Sequence, residues 1–135
     1  MRWAIYIQGG GKSEVLKLVD LPAWMDVAAQ LMTIPGATAQ VADGVTLGSH
    51  YVDGDILTAR QHHPDLPVST VATGVALAGL PVGATATAFA PGGAEVGSAV
   101  IDPDGALVLP TAGQWRVAIA PSVTHFARDY LIEVT

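Results

Sequence analysis

The chain contains no cysteine, so no disulfide can staple it and no thiolate can hold a metal; its stability has to come from packing. A cysteine-free chain tolerates either redox environment, so this absence leaves the compartment open. Positive charge is nearly as scarce. Two Lys and four Arg stand against twelve Asp and Glu, and the net charge is −6. Without a basic cluster there is no electrostatic footprint for a phosphate backbone, which excludes nucleic acid as the expected partner. The same scarcity argues against docking on anionic lipid. Phe and Tyr are few as well. The apolar start, Trp3 to Ile7, breaks at Gly9-Gly10-Gly11 before reaching the length of a secretory signal, and none is expected.

What the chain does have is small apolar residues and punctuation. Half its 135 residues are hydrophobic, chiefly Ala, Val and Leu, and they are interrupted by 15 Gly and 9 Pro. The first property predicts a globular chain with a core. The second predicts short strands and turns in place of long helices. From Val68 to Ala94 no residue is charged, a run long enough to cross a bilayer. Its Ala, Gly and Thr content, the turn at Gly79-Leu80-Pro81-Val82-Gly83, and the alternation of Thr85 and Thr87 with Ala predict strands, with no membrane insertion.

Texture changes near residue 64. Arg60-Gln61-His62-His63-Pro64-Asp65-Leu66-Pro67 is polar and has two prolines close together, and reads as an extended linker. The pattern therefore divides into a β-rich attachment segment over 1–62, a proline-containing linker over 63–67, and a β-sandwich over 68–135. In the first part, Trp3, Ile5 and Ile7 define one face of a strand, and Glu14 to Leu21 is expected to pair with it as a hairpin. Pro22 is placed to open a short helix carrying Trp24, Val27, Ala28 and Leu31 on one face, ended by Pro35-Gly36. Short strands are expected at 38–41 and 45–47, and a hairpin of 50–52 with 56–58 around Asp53-Gly54.

In the last part, strands are expected at 75–77, 84–90, 96–101, 106–109, 115–119 and 129–135. Trp115, Val117 and Ile119 should point inward, and Tyr130, Ile132 and Val134 should share one face. Six or seven short strands with turn chemistry between them predict a sandwich of the immunoglobulin type.

Each pattern that invites chemistry has a plainer explanation. Gly9-Gly10-Gly11-Lys12-Ser13 ends like a phosphate-binding loop, but Tyr6 stands where that pattern needs glycine, and a strand is expected after it. His62 and His63, with Asp65 nearby, could suggest a metal site. Neighbouring residues of an extended segment point to opposite sides, so a solvated linker is expected. His50 and His125 are isolated in sequence. Asp102-Pro103-Asp104-Gly105 looks like half a calcium loop without the distal glutamate, and predicts an Asx turn. Asp53 and Asp55 also sit in a turn, where carboxylates are usually solvated. No Gly-x-Ser-x-Gly elbow occurs. The chain is not expected to be an enzyme, and no cofactor or metal is expected. Trp3, Trp24 and Trp115 read as core or subdomain contacts. Trp24 is the one expected to be exposed, because the part that carries it has little core.

Two resemblances follow from particular motifs. Gly79-Leu80-Pro81-Val82-Gly83-Ala84-Thr85, Asp104-Gly105, Leu107-Val108-Leu109-Pro110 and Gly113-Gln114-Trp115-Arg116-Val117 together resemble a PEGA-type or related bacterial immunoglobulin-like repeat. Trp115 stands in the place of that repeat's strand aromatic, while Pro91-Gly92-Gly93 replaces its usual short Asp-Gly hairpin. Asp20-Leu21-Pro22-Ala23-Trp24, Gly48-Ser49-His50-Tyr51-Val52-Asp53-Gly54 and Arg60 resemble the leading segment of accessory virion proteins of tailed bacteriophages. The resemblance implies a structural role at a tail tip, baseplate or tail fibre. It also implies other virion proteins as partners, several copies in a symmetric assembly, and residence in a virion assembled in the host cytoplasm. Trp24 and Tyr51 are then the candidate interface residues. The alternatives are a bacterial cell-surface adhesion module and a tail-fibre assembly chaperone.

Overall fold

The computed structural model describes residues 1–9 and 11–135, which form two compact units, Met1–Gln61 and His62–Thr135. Both are built from strands, and the only helix among the described residues is one short turn. Gly10, the middle of the expected glycine turn, lies outside the described residues.

In the first unit, β1 (Arg2–Ile7) lies between β3 (Lys17–Asp20) and β4 (Ala37–Val41), antiparallel to both. Ala4, Ile5 and Tyr6 are all buried, so both faces of this central strand are covered. Ile7, on the same strand as the buried Ile5, is exposed near the strand end. A second sheet has the order β2 (Lys12–Glu14), β5 (His50–Asp53), β6 (Ile56–Ala59). The single strand expected from Glu14 to Leu21 is therefore two. β2 pairs with β5 and β3 with β1, and the chain changes sheets at Val15-Leu16, where the Leu16 amide donates to the Ile5 carbonyl at 2.8 Å. Ala4, Ala42 and Val45 form a small core, with Val15, Leu18 and Leu57 packed against it.

The strand expected at 45–47 is a turn, in which the Thr46 amide donates to Ser49 Oγ and Ser49 Oγ donates back to the Thr46 carbonyl. The expected helix from Pro22 shrinks to α1 (Ala28–Leu31), which buries no residue. A turn closed by the Met25 amide on the Pro22 carbonyl precedes it, and Asp26 Oδ1 accepts from the Ala28 amide. With no apolar face against a core, propensity alone cannot extend so short a helix.

The β5–β6 loop is Gly54-Asp55, one residue beyond the expected position, because Asp53 pairs with Ile56. Both loop residues have positive φ, 54° and 69°, which matches the right-handed twist of the hairpin. Asp55 is held there by its neighbours. Tyr6 Oη and Gln8 Nε2 donate to its carboxylate, and Gln40 Nε2 donates to its carbonyl.

The second unit has seven strands: β7 (Thr70–Val71), β8 (Ala76–Leu77), β9 (Thr85–Phe89), β10 (Glu95–Val100), β11 (Leu107–Val108), β12 (Gly113–Ile119) and β13 (Arg128–Val134). One sheet runs β10-β9-β12-β13-β7 and the other is the pair β11-β8. The consecutive pairs β9–β10 and β12–β13 stay within the larger sheet, β8 and β11 make up the smaller one, and β7 runs parallel to β13. Alternation dictates the core: Trp115, Val117 and Ile119 of β12 and Tyr130, Ile132 and Val134 of β13 are all buried. They meet Leu77 from β8 and Leu80, Ile101 and Leu109 from the connections. The Trp115 indole N–H donates to the Thr111 carbonyl at 2.8 Å, so the largest core side chain carries no unpaired donor. The uncharged run 68–94 is occupied by β7, β8, β9 and their turns, and no helix among the described residues is long and apolar enough to cross a membrane.

Residues 63–67, expected as a solvated linker, are packed on the second unit. The Arg128 guanidinium donates to the His63 carbonyl at 2.8 Å, Tyr130 Oη donates to the Pro64 carbonyl at 2.7 Å, and Leu66 lies against the core. A polar, proline-rich composition gives no sign of this, because the arm is held through its backbone carbonyls.

Candidate functional site

The first unit carries an apolar segment that its own core does not take up. Between Pro22 and Pro35, Trp24 is 81% exposed and Met32 85%, with Met25 also exposed and α1 contributing nothing to the interior. Polar contacts tie the segment down: Lys17 Nζ lies 3.5 Å from Gln30 Oε1 of α1, and the Ala37 amide donates to the Ile34 carbonyl. Trp24 is thus open to solvent, as expected. Tyr51 is not: it lies in β5, the middle strand of its sheet, and is 7% exposed. A central strand flanked on both sides buries its aromatic, and sequence spacing alone could not reveal that flanking.

The histidines of the second unit are gathered by its fold. His63 lies flat on His125, with 4.4 Å between ring centroids and 8° between planes, and His62 stacks on Phe126 at 4.7 Å. His63 is buried, while its neighbour His62 stays exposed beside Phe126. Thr124 Oγ1 lies 2.7 Å from His125 Nδ1, and the His125 amide donates to Ser122 Oγ. Arg128 reaches both the His63 carbonyl and the Asp65 carboxylate. Burial, then the neighbouring His125 and Arg128, hold the His63 pKa below its ordinary value. Burial raises the Tyr130 phenol, and the bond to Asp65 raises Arg128. Face-to-face rings aim their nitrogens alongside one another and do not converge them on one ion, so the stack supplies packing and no chelate.

The remaining candidates resolve into turns. Ser13 follows the glycines into strand β2, with no helix N-terminus for a phosphate. Asp102 Oδ1 accepts from the Asp104 amide and its carbonyl from the Gly105 amide, an Asx turn. Among the described residues no three His, Cys, Asp or Glu side chains gather to hold a metal ion. Ser49 Oγ lies 2.7 Å from His50 Nδ1, yet it also donates to the Thr46 carbonyl, so it closes a turn and is not freed as a nucleophile.

One feature of the second unit escaped sequence reasoning. A groove of about 280 Å³ opens between the two sheets beside β10, lined by Ala86, Ala88, Ala99, Leu109 and Trp115 among others. Comparison with protein-family models, with curated proteins and with solved structures gave no match to this chain.

Proposed function

We propose that this chain is a structural component of a phage or phage-like particle, in which the first unit anchors on another virion protein and the immunoglobulin-like unit is presented for assembly or host-surface contact. The observation that carries the reading is the exposure of Trp24 and Met32 on a segment with no buried helical residue. Large apolar side chains held in water gain about 1.5–3 kcal/mol each when a partner covers them, so an assembly surface gives this segment a use. The buried cluster of Ala4, Ala42 and Val45 in the first unit is small, and a small module is stabilised by whatever binds its folded form. A symmetric assembly would engage several copies through one repeated contact.

Mass spectrometry of purified particles tests the reading. Stoichiometric recovery of this chain, lost when Trp24 and Met32 are both replaced by serine, supports it. Absence from intact particles overturns it and favours a transient assembly chaperone or a cellular adhesion module.

A further inference from the structure

We propose that the open edge of the second unit accepts an extended segment of a partner protein, with bulky apolar side chains at alternating positions and Lys or Arg at its ends. The two sheets are unequal, five strands facing two. Beyond β11 no strand of this unit covers the inner face of β9 and β10. Ala86, Ala88, Gly97 and Ala99 form the floor there, and Leu109 and Trp115 close the inner end. These small residues leave the groove open, and side chains of Val, Ile or Leu size would fill it.

The backbone is equally unfinished. β10 is hydrogen-bonded only to β9, and β11 only to β8, so one edge of each faces the opening. All six residues of β10 are exposed. From Val96 to Ile101 there is no charge and no proline, the devices that commonly blunt a free edge; only the bulge between Glu95 and Gly97 interrupts it. A strand added at β10 would pair its main chain there and send alternate side chains into the groove, the geometry of β-augmentation.

Charge selects the occupant. No Lys or Arg lines the groove, whereas Glu95 opens β10 and Asp102 and Asp104 follow it. A second copy of this chain would bring the same acidic residues to the same rim and small side chains to a floor already made of small ones. A foreign segment with cationic ends answers both. The inference is independent of any particular particle, since it concerns the sandwich edge alone.

The test uses the full chain, isotope-labelled, titrated with a synthetic peptide acetyl-Lys-Val-Thr-Ile-Thr-Val-Lys-amide while amide shifts and hydrogen exchange are followed. The expected result is saturable binding that protects amides of Val96–Val100 and Leu107–Val108. Binding should be about tenfold weaker for the peptide with glutamate in place of both lysines. Gly97→Leu should weaken binding at least tenfold. It has open space above its Cα and ordinary backbone angles, so the variant folds, and its own spectrum verifies that. No saturation at millimolar peptide, protection elsewhere, equal affinity for the two peptides, or self-association through β10 in the peptide-free chain would each overturn the proposal.

Discussion

The imidazole of His63 lies parallel to that of His125, 4.4 Å away, on the end of an arm whose backbone is gripped by Arg128 and Tyr130. The stack places two titratable rings and a guanidinium together, with the exposed Asp65 as the carboxylate paired to Arg128. Burial against these groups favours the neutral form of His63 in the docked arm.

The sign follows from the depressed His63 pKa. An unfolded chain takes up a proton near the ordinary value of 6.5, while the folded chain resists it. Stability is full above that value and declines as pH falls from there through the folded pKa. Urea unfolding at pH 7.5 and 5.5 should show a lower midpoint at the acid value. His63→Phe, which keeps a ring against His125, should lose most of that difference. An equal acid shift in both proteins would remove His63 as its cause.

Replacing Trp115 with alanine should cost about 3–5 kcal/mol, from a lost core side chain and the cavity left behind. It also leaves the Thr111 carbonyl without its 2.8 Å donor. Against a typical domain stability of roughly 5–15 kcal/mol, such a loss leaves the second unit marginal. Chemical denaturation followed by circular dichroism measures it.

Two glycines of the second unit should respond in opposite ways. Gly113 has φ +125°, and a Cβ there would lie 2.5 Å from Pro91 Cγ, so Gly113→Ala should destabilise by about 1–3 kcal/mol. Gly97 has ordinary angles and open space, so Gly97→Ala should be neutral or stabilise by up to about 1 kcal/mol. Thermal melts of the two variants decide the point, and similar losses in both would contradict the turn geometry.

Trp24→Ser should leave folding stability within about 0.5 kcal/mol, since the side chain is 81% exposed. Acrylamide should quench the Trp24 emission strongly and leave Trp115 protected, which double-tryptophan variants can separate. A large stability loss in Trp24→Ser would show that the indole already has a partner within the chain.

The second unit was largely legible because its strands alternate cleanly. Trp115, Val117 and Ile119 are apolar at every second position, and a period of two leaves one way to face them inward. β7 was missed because two residues, Thr70 and Val71, carry no period, and only the distant β13 makes them a strand. In the first unit Glu14 to Leu21 reads as one apolar stretch, and nothing local marks the change of sheet at Val15-Leu16. The burial of Tyr51 has no local mark either, since it is set by the strands on both sides. The histidine stack joins residues about sixty positions apart, and the groove arises from a strand that is not there. Neither has a local signature.

The parallel pairing of β7 with β13 has a mechanical consequence. The Glu133 amide donates to the Ser69 carbonyl, the Thr135 amide to that of Val71, and the Thr73 amide and hydroxyl to the Thr135 carbonyl. Tension entering the second unit at its first strand and leaving at its last pulls these two strands in opposite directions along their length. Their bonds are then loaded in shear, all together, and not peeled open one at a time. Single-molecule pulling should therefore meet one sharp force peak for this unit, lowered when Thr73→Pro removes both of that residue's donors, and a gradual extension without a peak would refute the clamp.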